Sequence, residues 1–232
     1  MPNHIKNIVK MKGIASLPLF TDNNGSLEFD FNKLIPMPES LNMESGSIED
    51  LAIEAVIQKI ATRRYSFQRA LAVPAMSEEE FAKRTAHLSM DDLCKRGLQY
   101  ISNKVLYGAT SWYDWRCDNW GTKWNAYDTE IPGENLLVFT TAWGPPERVI
   151  ATLAERYPHT DIEHWWADED IGSNSGYIRY SHGQAEETIY FDNGSRDAYK
   201  TYILCWGESS CLYQDKEGIW HHKDCERCHG CD

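Results

Sequence analysis

Polar and apolar residues alternate in "HIKNIVKM", which sets Ile5, Val9 and Met11 on one side and His4, Lys6 and Lys10 mostly on the other. That period of two predicts a half-buried strand. Beyond "DNNG", the stretch "SLEFDF" alternates Leu27, Phe29 and Phe31 and predicts a second short strand, which the prolines of "IPMPES" interrupt. Three helix starts follow, each with a serine three residues before an acidic side chain: Ser47 with Asp50, Ser77 with Glu80 and Ser89 with Asp92. In this capping arrangement the serine oxygen accepts a hydrogen bond from a backbone N–H that the helix itself leaves unpaired. The first of these helices is expected to reach about Thr62 and the third about Val105.

The second half changes character. "NLLVFTTAW" is the continuous apolar run of a central strand, and "GPP" turns it into a helix whose Val149, Ile150, Leu153, Ala154 and Tyr157 form one stripe. "DIEHWWA", "GYIRYS" and "AEETIYF" predict strands, the last two joined as a hairpin through "HGQ", and Ser195 caps a final helix, "RDAYKTYILCW". This order predicts an α+β fold: a ferredoxin-like antiparallel sheet of split β-α-β type, with helices on one face and a helical insertion. The expected division is N-terminal strands in residues 1–39, a helical insertion in 40–110, the ferredoxin-like α+β domain in 111–207, and a Cys/His-rich tail in 208–232.

"SWYDWRCDNWGTKWNAYD" concentrates Trp112, Trp115, Trp120 and Trp124. Flat rings with interleaved amides and charges suit a sugar or nucleobase platform. The competing reading is a loop wrapped on a core, with Gly121 in a tight turn and Asn119 and Asn125 bonding local backbone. The spacing, which favours no single face, tips the balance to core, with Trp120 and Trp124 both expected to be mostly buried. Together with "MPNHIKNIVKMKG", "FDFNKLIPMPESL" and "FTTAWGPPERVIATLAERYP", this segment resembles the YubB-type family of plasmid- and phage-borne proteins, from Met1 to about Phe191. The resemblance implies a ferredoxin-like domain and a bacterial mobile-element setting. It carries no catalytic residue across.

Composition and charge narrow the partners. An apolar content of 42% with nine Trp, twelve Tyr and seven Phe excludes a disordered chain. No window has the apolar length of a membrane span and the start lacks a signal peptide, so a cytoplasmic protein is expected. Residues 1–127 hold fifteen Lys/Arg and fifteen Asp/Glu, whereas residues 128–232 hold eight and twenty, so the net charge of −12 resides wholly in the second half. Nucleic acid is bound by basic surfaces, which disfavours it as a partner of residues 128–232. A solvated acidic surface is the plain explanation; a binding face for a basic host protein is the functional one, with Asp168, Glu169, Asp170, Glu186 and Glu187 expected to project together.

The tail "HHKDCERCHGCD" holds Cys225, Cys228 and Cys231 at two-residue intervals, a spacing that lets three thiolates converge on one structural zinc. His222 is the preferred fourth ligand, with His221, His229, Cys211 and Cys205 as alternatives. "ADEDIGSNSG" opens like a calcium loop, but Arg179 stands where a closing glutamate belongs. No nucleophile elbow, zinc-protease pair, phosphate loop or dinucleotide fingerprint occurs. The resulting expectation is a non-enzymatic mobile-element accessory protein that binds a host defence or regulatory factor through its acidic surface. The alternatives are a small-ligand or nucleotide-binding enzyme with a pocket beside the Trp-rich segment, and a zinc-stabilised nucleic-acid-associated module.

Overall fold

The computed structural model describes residues 3–23, 25–60 and 76–223. The chain forms two compact units, one made of Met1–Pro36 with Asn119–Asp232 and the other of Met37–Asp118. The first predicted strand is β1 (His4–Met11), which buries Ile5, Asn7, Val9 and Met11. The second is β3 (Ser26–Phe29), which pairs as a hairpin with β2 (Phe20–Asn23), a strand the pattern did not predict, and Phe31 instead begins a 3₁₀ turn over Phe31–Lys33. Asp30 causes the break, because its carboxylate accepts from the Asn32 N–H at 3.0 Å and caps the turn.

The helical unit contains α1 (Ser47–Ile60), α2 (Glu78–Thr85) and α3 (Met90–Tyr107). Ser77 and Ser89 cap as predicted, accepting from the N–H groups of Glu80 at 3.1 Å and Asp92 at 3.4 Å. Ser47 is the first residue of α1, and the preceding Gly46 carbonyl accepts from Glu49. The expected end of that helix near Thr62 lies outside the described residues. Leu51, Ala52, Ile53, Val56 and Ile57 pack with Phe81, Leu93, Cys94 and Tyr100. Gly97 is required there: a β-carbon on it would lie 2.1 Å from the Ala52 carbonyl oxygen, so only glycine lets α1 and α3 approach this closely. Asn103 then ties the unit's ends together, its amide donating to the carbonyls of Ser40 and Thr110.

The tryptophan segment is helical, not a loop: α4 spans Trp112–Trp120. It buries Trp115 and Trp120, which stand about 140° apart around a helix. A helix buried on more than one side has no amphipathic stripe, so periodicity along the sequence does not reveal it.

The main sheet has six strands in the order β4 (Tyr127–Gly133), β5 (Leu136–Ala142), β1, β6 (Ile162–Asp168), β7 (Gly176–Ser181) and β8 (Gln184–Tyr190). Every neighbouring pair is antiparallel. β1 therefore lies between two parallel strands, β5 and β6, which α5 (Glu147–Arg156) connects as a split β-α-β unit. α6 (Arg196–Trp206) follows, capped by Ser195, which accepts from the Ala198 N–H at 3.2 Å. β9 (Leu212–Gln214) and β10 (Trp220–His222) form a separate small hairpin. The fold is α+β with a ferredoxin-like antiparallel sheet and a helical segment between its strands, as expected.

The two sheet faces are covered differently. Register places Asn7 between Phe139 and Trp166, and Val9 between Leu137 and His164, on the face over which α5 packs. Tyr190 on β8 donates to Glu147 at the start of α5. α6 lies across the opposite face, where the Trp206 indole N–H donates to the Ala167 carbonyl and the Lys6 ammonium stands 4.8 Å from the Trp206 ring. Helices thus cover both faces and not one alone, because β1 and β6 carry apolar side chains, Ile8 and Trp165, on the second face as well.

Polar groups inside the first face are paired in series. His164 donates from Nε2 to Asn7 Oδ1 at 3.0 Å, the Asn7 amide donates to Thr141 Oγ1 at 2.9 Å, and Thr141 donates to the Gly144 carbonyl at 2.8 Å. Among the described residues no helix is long and apolar enough to cross a membrane.

Candidate functional site: an aromatic and acidic ledge at the strand ends

"NWGTKWNA" positions one side of the site residue by residue. The Trp120 ring is fully buried against Phe31 and donates its N–H to the Ile35 carbonyl at 2.9 Å. Gly121 has φ +84, and a β-carbon there would stand 2.9 Å from the Pro145 carbonyl oxygen, so glycine lets this segment touch the turn after β5. Thr122 closes the contact from both directions: its hydroxyl donates to the Ala142 carbonyl at 2.8 Å and accepts from the Ala142 N–H at 3.2 Å. Asn125 anchors the far end, accepting from the Phe31 N–H at 2.8 Å and donating to Asp30 at 3.2 Å. Its partners are distant in the chain, not local as expected.

Between these anchors Lys123 and Trp124 face Trp143. The Lys123 ammonium is 4.1 Å from the Trp124 ring centroid and 4.0 Å from that of Trp143, within cation–π range of both. Trp124 is 39% exposed and Trp143 50% exposed. Trp143 holds a left-handed backbone with φ +68, a conformation strained for a bulky residue, and Asn174 and Asp128 nearby also have positive φ. The Asn174 amide links the strained turn to the acidic strand end, donating to the Trp143 carbonyl at 3.1 Å and to Asp168 at 3.5 Å.

The acidic strand end is built into the fold. Asp168 is 5% exposed and accepts from the Asp170 N–H at 2.9 Å and from Asn3 at 3.2 Å. Burial pushes its carboxyl above the usual carboxylate range, against the pull of those hydrogen bonds. Asn3 also donates to Asp170, and Glu169 accepts from the His4 N–H at 2.9 Å. His4 Nδ1 shares a 2.7 Å hydrogen bond with the Tyr127 hydroxyl, and the Tyr127 ring meets Trp124 edge to face. Burial, with Asp128 and Glu169 adding to it, pushes Tyr127 up to about 12, so the phenol stays protonated. The ledge therefore combines two exposed indoles, a seated cation and three carboxylates.

The predicted residues divide accordingly. Asp168, Glu169 and Asp170 are brought together, but Glu186 and Glu187 are not with them. Those two sit on β8 against Arg179, at 2.9 Å and 3.8 Å, and Arg179 is opposite Glu163, five residues back along β6 from Asp168. Of the four tryptophans, Trp115 and Trp120 are core, Trp112 packs against Tyr113 and Arg116, and only Trp124 joins the ledge. Trp143 was not predicted as a site residue; its one signal was a tryptophan directly before Gly-Pro-Pro at a strand end. Cys225, Cys228 and Cys231 lie outside the described residues. His222 is exposed on β10, and Cys211 is buried. Among the described residues no three His, Cys, Asp or Glu side chains are grouped to hold a metal ion.

No curated protein matches this chain. A solved structure, of the protein Api92 from Yersinia pseudotuberculosis, aligns with 84% of this chain and 99% of that one, at 12% identity and a TM-score of 0.37. Residues 119–203, which carry most of the ledge and the β5–α5–β6 unit, match the family described as "Ferredoxin-like domain in Api92-like protein".

Proposed function

We propose that this protein acts by binding and not by catalysis, and that the ledge at the ends of β1, β5 and β6 docks a basic partner protein. The observation that carries the reading is the juxtaposition of exposed Trp124 and Trp143 with the braced carboxylates of Asp168, Glu169 and Asp170. Exposed indoles supply the contact area that anchors interfaces, and acidic groups beside them select a cationic surface and speed its approach. The backbone strain at Trp143 fits a site whose geometry the surrounding fold holds in place before the partner arrives. The mobile-element setting inferred from sequence resemblance makes a host defence or regulatory factor the proposed partner.

The test is affinity capture from bacterial extract with the full chain and with a Glu169→Lys/Asp170→Lys variant, quantified side by side. A genuine partner is retained by the wild type at low salt, is released as salt rises, and is lost from the variant. Capture indifferent to the charge reversal overturns the reading.

A further inference from the structure

We infer that the gap between Trp124 and Trp143 is a receptor slot for an arginine side chain of the partner, and that Lys123 occupies it in the free protein. The inference rests on the ledge reading and adds the chemistry of its central contact. Two indole faces lie about 4 Å from a single ammonium, the arrangement of an aromatic cation receptor. Chain geometry, not attraction alone, puts Lys123 there: the paired hydrogen bonds of Thr122 to Ala142 set the next residue opposite Trp143. Among the described residues Lys123 forms no ion pair, although the second half of the chain is strongly acidic. Its ammonium contacts rings, while the carboxylates of Asp168 and Asp170 are held by Asn3 and by Asn174, whose amide also donates to the Trp143 carbonyl.

Arginine suits this slot better than lysine. A planar guanidinium stacks between two rings while its edge N–H groups remain available to a carboxylate, whereas an ammonium has only three N–H groups to divide between rings and carboxylate. The resident Lys123 therefore makes a weaker set of contacts than an incoming arginine would. While it occupies the slot it reduces the fraction of protein competent to bind, which lowers apparent affinity and keeps exposed tryptophans from adhering to other surfaces.

The experiment titrates the full chain with the blocked tripeptide acetyl-Gly-Arg-Gly-amide, following the indole N–H resonances of Trp124 and Trp143. The neutral citrulline peptide of the same shape is the control. Lys123→Ala should bind the arginine peptide at least about fivefold tighter than wild type, because the competing occupant is gone. Lys123→Gln, one methylene shorter and without the charge, should tighten binding in the same direction. Trp124→Ala should abolish the response, and citrulline should produce none. Equal or weaker binding by both Lys123 variants, or an equal response to citrulline, overturns the inference. Its failure is distinct from that of the ledge reading. Partner capture that ignores the Glu169/Asp170 reversal removes the ledge, whereas a Lys123 variant without gain removes the slot and leaves the ledge standing.

Discussion

A β-carbon on Gly121 would stand 2.9 Å from the carbonyl oxygen of Pro145, while Gly121 itself holds φ +84. Both facts exclude other residues, one by contact and one by backbone conformation. Gly121→Ala should therefore lose roughly 2–4 kcal/mol, the sum of a left-handed penalty and an overpacking penalty. Urea unfolding followed by tryptophan fluorescence measures it, and an unchanged midpoint would contradict the close approach.

Trp120 and Trp124 are four residues apart in "NWGTKWNA" and have opposite roles. Trp120 is fully buried with its N–H satisfied, so Trp120→Ala should cost about 3–5 kcal/mol, a large share of a domain's stability. Trp124 is 39% exposed, so Trp124→Ala should cost less than about 1 kcal/mol and instead reduce binding. Equal losses of stability would show that the segment serves the fold alone.

The difference between those two residues marks what could be read from the chain. β1 was legible because its alternation records a physical asymmetry between its faces, and Ser77 and Ser89 were legible because a cap is a local hydrogen bond. α4 was not, since Trp115 and Trp120 are buried on different sides of it. The ledge was half legible: Asp168, Glu169 and Asp170 are contiguous, but Trp143 meets Lys123 only through the Thr122–Ala142 contact, twenty positions apart. The expected single acidic face failed for a related reason, because cross-strand register gives Glu186 and Glu187 to Arg179.

In the helical unit the sharpest contact is at Gly97, whose added β-carbon would meet Ala52 backbone at 2.1 Å and Val56 at 2.6 Å. Alanine is the better helix former by up to about 1 kcal/mol, so propensity favours Gly97→Ala and packing opposes it. Packing should win, because backbone cannot yield as a flexible side chain can, leaving a net loss of about 2 kcal/mol. Leu98→Ala, one position along on an exposed part of α3, is the control and should change stability little.

His164 makes the fold sensitive to acid. It is fully buried, donates from Nε2 to Asn7, and its Nδ1 has no partner among the described residues. Burial lowers its pKa from 6.5 to about 3, so the folded chain keeps it neutral where the unfolded chain would protonate it. Below pH 6.5 the unfolded state binds one more proton than the folded state, and stability falls as pH falls, down to about pH 3. Each pH unit in that window is worth on the order of 1.4 kcal/mol, or about 2 kcal/mol between pH 6.5 and 5. His164→Gln keeps an N–H donor for Asn7 and cannot titrate. It should be less stable than wild type at neutral pH yet lose about 2 kcal/mol less on going to pH 5, above the range where most carboxylates begin to contribute. Denaturant unfolding of both proteins at the two pH values gives the comparison directly, and parallel losses would mean that His164 is protonated in the native core.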